Sequence, residues 1–163
     1  MKIKLNIKKK KSFRSNARKI INALFDKMLS YQTRVIDHPL LLKDLHKMRI
    51  ASKPLRYMME LCEPVFGREF RTYYQQIKQL VELMGIMHDI DIALPLVKNQ
   101  CNEIRLLNRI LKRSKKIQTK SLVNLIRCLK EKREKLFIKL CNMLNRWARS
   151  NFKNKVVASM EAG

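Results

Sequence analysis

Four residues on one stretch of chain have the types and the spacing to hold an anion. His46, Arg49, Lys53 and Arg56 lie three, four and three residues apart within Leu45–Tyr57. On a helix they fall within a stripe about 80° wide. The apolar residues Leu41, Leu45, Met48, Leu55, Met59 and Cys62, interrupted only by small Ser52, follow a 3–4 spacing on a seam displaced from it by roughly 100°. The cations therefore run along the edge of the core, where they can track successive phosphates. Arg supplies a bidentate fork and Lys a point charge. The same spacing also suits a solvated face of snorkelling side chains. Bound phosphate favours an imidazolium at His46, so anion affinity is expected to rise below about pH 6.5.

Other residues extend this chemistry. Arg133 falls inside the apolar seam between Leu129 and Leu136, where a charge needs a partner. It either pairs with an acid such as Asp89 or Asp91, or it points into an anion groove. Arg14, Arg18 and Lys78 are further candidates. Arg105, Arg109, Lys112 and Lys116 form a second stripe opposite Ile104, Leu107 and Leu111, which serves solubility or binding equally well.

Catalysis has little to stand on. The chain has no glycine-rich phosphate loop, no GxSxG nucleophile and no HExxH helix. His88 beside Asp89 and Asp91 lacks a second placed His or Cys, so no metal and no cofactor is expected. Cys62, Cys101, Cys128 and Cys141 form no CxxC pair and read as reduced, buried apolar residues.

The elements that must position these residues are helices. The 163 residues include only three glycines, 46% hydrophobic residues and abundant Leu, Ile, Met, Lys and Arg. That composition disfavours a many-stranded sheet and favours an all-α antiparallel bundle of about five helices. Residues 1–11 read as a basic arm, 12–150 as the bundle and 151–163 as a frayed tail. A first helix is expected from Ser12 to about Thr33, burying Ile20, Ile21, Leu24, Met28 and Tyr31. Asp37-His38-Pro39 reads as the start of a second, ending near Glu63. Pro54 inside it either bends it, opening a cleft beside the stripe, or begins a new segment. Breaks are expected at Glu63-Pro64 and Phe66-Gly67, then near Pro95. A fourth helix spans about Cys101–Lys116 and a fifth about Thr119–Ser150.

The charge names the class of partner. Thirty-seven Lys and Arg face thirteen Asp and Glu, a formal +24, and so large an excess calls for an anionic partner. It sits at the two ends: residues 1–19 carry nine basic and no acidic residues, and 99–155 carry seventeen against three. No apolar stretch approaches a membrane span and no signal-peptide centre follows the N-terminus, so a cytoplasmic protein without a membrane partner is expected. Nucleic acid is the rival anion, though aromatics make up only 7% and most fall at expected core positions. Docking on an acidic protein is a third reading.

Two segments carry a family resemblance. Leu45–Leu61 (LHKMRIASKPLRYMMEL) resembles the first motif of the conserved-histidine α-helical domain, CHAD. There His is followed by Arg three on, a basic residue four further, then Leu-Arg. Gln76–Ala93 (QIKQLVELMGIMHDIDIA) resembles the second, a Leu-x-x-Leu-Gly run followed by Asp and a second Asp. The likeness is good over about 12–98 and elsewhere extends only to basic helix. It implies a helical bundle that binds inorganic polyphosphate through a basic groove, without known catalysis of its own; association with polyphosphate granules is a further expectation. By position it assigns His46, Arg49, Lys53 and Arg56 to binding. Asp89 and Asp91 match the acidic motif, with a structural role in orienting the cations. The chain departs from the family in holding one such repeat where two are usual, and in having Pro54 where a basic residue is common. A homodimer that completes the groove is therefore an expectation.

Overall fold

The computed structural model describes residues 12–38 and 42–161. Every regular element among them is helical: α1 (Phe13–Leu29), α2 (Gln32–Asp37), α3 (Leu42–Ile110), a 3-10 turn at Arg113–Lys115, α4 (Lys120–Arg149) and α5 (Phe152–Ser159). The all-α expectation holds, and the expected basic arm lies outside the described residues. Two compact units divide the chain. Among the described residues, one comprises those up to Met84 together with those from Leu140 onward, and the other runs from Gly85 to Lys139.

In the first unit, α1 starts where Ser12 accepts a hydrogen bond from the Ser15 amide at 3.3 Å, satisfying one of the open donors of the first turn. Its buried residues are Ala17, Ile21, Leu24, Phe25 and Met28, while Ile20 and Tyr31 are half-buried. The helix stops earlier than the periodicity suggests. The Ser30 hydroxyl donates to Lys27 O at 2.8 Å, the local competition that ends helices at serine. A separate α2 follows and buries Val35. Asp37 consequently ends a helix instead of starting one: His38 caps α2, its amide donating to Arg34 O at 3.2 Å.

Helix α3 supplies the centre of the core. Met48, Leu55, Met59, Cys62, Phe70, Ile77, Leu80 and Met84 are fully buried along it, at the spacing of one helix face. Its one interruption is Gly67, at φ 80° and ψ −167°. A side chain there would meet nothing within 4 Å, so glycine is required by the backbone alone. The break expected at Phe66-Gly67 is where it falls. Pro54, Pro64 and Pro95 break nothing, contrary to expectation. All three are exposed and carry helical backbone angles, so each removes one backbone donor without ending the helix.

The tail also differs from expectation. Asn151, in the left-handed conformation (φ 51°, ψ 42°), turns the chain into α5, a conformation Asn tolerates better than most residues. Phe152 then stacks on Trp147 at 4.2 Å and meets Tyr73 and Phe25 edge-on at 5.4 and 6.2 Å. Val156 and Met160 are buried behind it. Residues 152–159 are helical because this aromatic cluster gives them something to bury.

The second unit is a helical hairpin. Residues 85–110 of α3 and 120–139 of α4 are joined by the 3-10 turn. The expected fourth helix does not exist separately: α3 runs through to Ile110, and Lys112–Lys116 leave the helix. Asn108 clamps the connection from both sides, donating to Ile117 O and accepting from Ile117 N, each at 2.8 Å.

Candidate polyanion-binding site

The expected stripe is present on the 42–66 part of α3. Arg49, Lys53 and Arg56 are half-buried and His46 is exposed, the gradient that an 80° stripe at the edge of an apolar seam produces. Below it Ser52 is fully buried and donates to Arg49 O at 2.8 Å. A serine in a core seam satisfies itself this way.

The members of the stripe are not equivalent. Arg56 is engaged: it pairs with Glu60 at 3.2 Å and lies over the Tyr57 ring at 4.5 Å. Glu60 in turn takes the hydroxyl of buried Tyr74; burial first, and that hydrogen bond second, push the Tyr74 phenol up. Arg49 is different. Its Nε is sealed from solvent and has no hydrogen-bond partner among the described residues. An unsatisfied buried donor is costly, most of all on a cation.

Beside the stripe, Ile20 and Leu24 of α1 and Ile50, Pro54, Tyr57 and Leu61 of α3 line a shallow groove. Pro54 thus borders a cleft, but an almost wholly apolar one whose cation is Lys53. It is no anion groove.

Of the remaining candidates, Arg14 serves the fold. Its Nη2 donates to Val65 O at 3.1 Å, with the guanidinium 5.7 Å from the Phe66 ring, at the end of the helical run before Gly67. A cation there offsets the negative helix end. Arg18 forms an exposed pair with Glu161. Lys78 is half-buried and makes no ion pair among the described residues.

Within the hairpin, Arg133 resolves to one of its two alternatives. Its Nε donates to Asp91 Oδ1 at 3.1 Å, the two side chains only 14% and 12% exposed, and its guanidinium lies 5.3 Å from the Phe137 ring. Asp91 thus pairs with Arg133, whereas the role expected of the acidic motif is to orient the cations of the stripe. Asp89 is exposed and forms no ion pair among the described residues. No group of three His, Cys, Asp or Glu able to hold a metal occurs among the described residues. No described helix is long and apolar enough to cross a membrane. None of the four cysteines is in a disulfide, but Cys128 is exposed and Cys141 half-buried, so the expectation of burial fails for these two.

Sequence reasoning passed over Glu60 and Tyr57. The Arg56–Glu60 spacing of four was the available signal.

These features define an all-helical protein with a cationic line along the edge of its core. A family model for the CHAD domain matches residues 3–98, and the chain belongs to that family. No curated protein and no solved structure matches it. The matched stretch contains the stripe, Gly67 and both aspartates of the acidic motif; most of the hairpin lies beyond it.

Proposed function

We propose that this protein binds inorganic polyphosphate along His46, Arg49, Lys53 and Arg56, holding the polymer without chemical change. The observation that carries the reading is Arg49, half-buried in the cationic line and without an ion pair among the described residues. Its guanidinium is a charge-assisted donor for a phosphate oxygen, alongside Lys53 and exposed His46. Membership of the CHAD family, which binds ligands of the polyphosphate type, supports the same anion. So does the +24 formal charge, which raises local anion concentration and association rate. The proposal extends to the cytoplasm, at polyphosphate granules, and to a second copy of the chain completing the site. A monomer at all concentrations in sedimentation removes that last part.

Nucleic acid presents the same backbone charge, so the test is a competition. Long-chain polyphosphate and mixed-sequence single- and double-stranded nucleic acid are titrated against each other at about physiological salt. Polyphosphate is expected to win by about tenfold or more, roughly 1.4 kcal/mol. Arg49→Ala is expected to weaken polyphosphate binding by about 1.5–3 kcal/mol, as for a charge-assisted hydrogen bond, with helical content unchanged. Equal or better binding of nucleic acid, or unchanged affinity in Arg49→Ala, removes the reading.

A further inference from the structure

The tip of the hairpin combines two properties that the polyphosphate site does not use. Seven Lys and Arg lie between residues 105 and 120, and no Asp or Glu occurs from 104 to 130. Arg105, Arg109, Lys112, Arg113, Lys115 and Lys116 are all exposed. Among them stand large apolar side chains that the fold leaves uncovered: Leu106 is 57% exposed and Ile110, the last residue of α3, is 82% exposed. Leu106 and Ile110 are four residues apart and share one helix face, with Arg105 and Arg109 along its edge. The turn is held in shape by the two-sided clamp between Asn108 and Ile117. Ile117, 46% exposed, stands on the far side of it.

A cationic surface alone suits any polyanion. Exposed isoleucine and leucine in its midst add nothing to phosphate binding and cost solubility. They gain free energy only where the anionic surface has an apolar layer just beneath its charges. That is the makeup of a bilayer with anionic headgroups, where basic residues meet the lipid phosphates and apolar side chains enter the acyl boundary. A second copy of the chain is disfavoured at this face, because it would bring two seven-cation clusters together. The geometry points to the hairpin tip as a peripheral docking site for an anionic lipid surface, with Leu106 and Ile110 as the inserted residues. This is contact with a membrane surface and involves no spanning segment.

The test uses the full chain and floated vesicles, either pure phosphatidylcholine or phosphatidylcholine with phosphatidylglycerol at about three in ten lipids. The anionic vesicles are expected to bind at least tenfold more tightly. Ile110→Gln, which leaves the charge unchanged, is expected to lose about tenfold of that binding, the scale of one buried aliphatic side chain. Arg113→Glu with Lys116→Glu is expected to lose more. Ile92→Gln is the control: it is 56% exposed on the same helix but outside the cation cluster, and it should bind as wild type. Polyphosphate affinity should be unchanged in the Ile110 variant, so this inference and the polyphosphate reading fail separately. Wild-type vesicle binding in Ile110→Gln, or no preference for anionic lipid, overturns the proposal. Loss of nucleic-acid affinity in the tip variants without loss of vesicle binding reassigns the tip to nucleic acid. Loss of self-association in Ile110→Gln reassigns it to a second copy.

Discussion

Arginines that look alike in the sequence separate by what receives their donors. Arg14 spends its fork on a backbone carbonyl at a helix end, and Arg133 spends its own on Asp91 in a nearly buried pair. Removing Arg133 leaves a nearly buried carboxylate unpaired and should read mainly as a stability loss, while the exposed bond of Arg14 should cost little. Arg49 stands half-buried in the stripe without an ion pair among the described residues, and its loss should read as affinity. Cys62 offers a separate check on the core. Burial pushes its thiol up from 9.0 to about 11, and Tyr73 and Tyr74 are raised in the same direction, chiefly by burial. Each group holds its proton more tightly when folded. The stability this contributes is complete below the unfolded values and is lost as pH rises through the folded ones. Denaturant melts between about pH 9 and 11 should show a loss to which Cys62 contributes on the order of 2 kcal/mol. Cys62→Ala should flatten that slope, and an equally steep slope in the variant contradicts the burial argument.

At the scale of elements, the features that interrupt or extend helices decide where the site stands. Gly67 ends the run that carries the cationic stripe, while three exposed prolines leave α3 helical. The short α5 is held by one aromatic cluster. Phe152 touches Trp147, Tyr73 and Phe25 at once, and Gln76 accepts from the Trp147 indole at 3.3 Å. Phe152→Ala is therefore expected to cost about 3–5 kcal/mol, the range for a buried aromatic truncated in a packed core. Thermal melting measures it. A loss below about 1 kcal/mol would mean that α5 contributes little to the unit.

At the scale of the whole molecule, charge governs the strength of binding more than shape does. Most of the affinity for a phosphate polymer should come from released counterions, so it should fall steeply as salt rises. Between about 50 and 200 mM salt a loss on the order of a hundredfold or more is expected for several simultaneous phosphate contacts. A salt-independent constant would instead point to a small neutral contact surface. The apolar groove lined by Ile50, Pro54 and Leu61 takes no part in that electrostatic term.

The sequence by itself determined the all-α class, the apolar seam of α3, the cationic stripe beside it, the break at Gly67 and the family. Each of these rests on local periodicity, on one residue's backbone freedom or on a short motif, and such signals are complete within a few turns of helix. Which acid receives Arg133 was decided across 42 residues of chain. The docking of α5 on α1 and Trp147, and the capping role of Arg14 across 51 residues, likewise belong to the tertiary structure. So does the exposure of Ile110 among cations at the hairpin tip. Burial and pairing between distant segments depend on which faces meet, and no local pattern encodes that meeting. The prolines show the same division from the other side. Local rules expected a stop or bend at Pro95 and allowed one at Pro54, but both lie on the exposed side of α3 and keep helical backbone angles, and the helix continues.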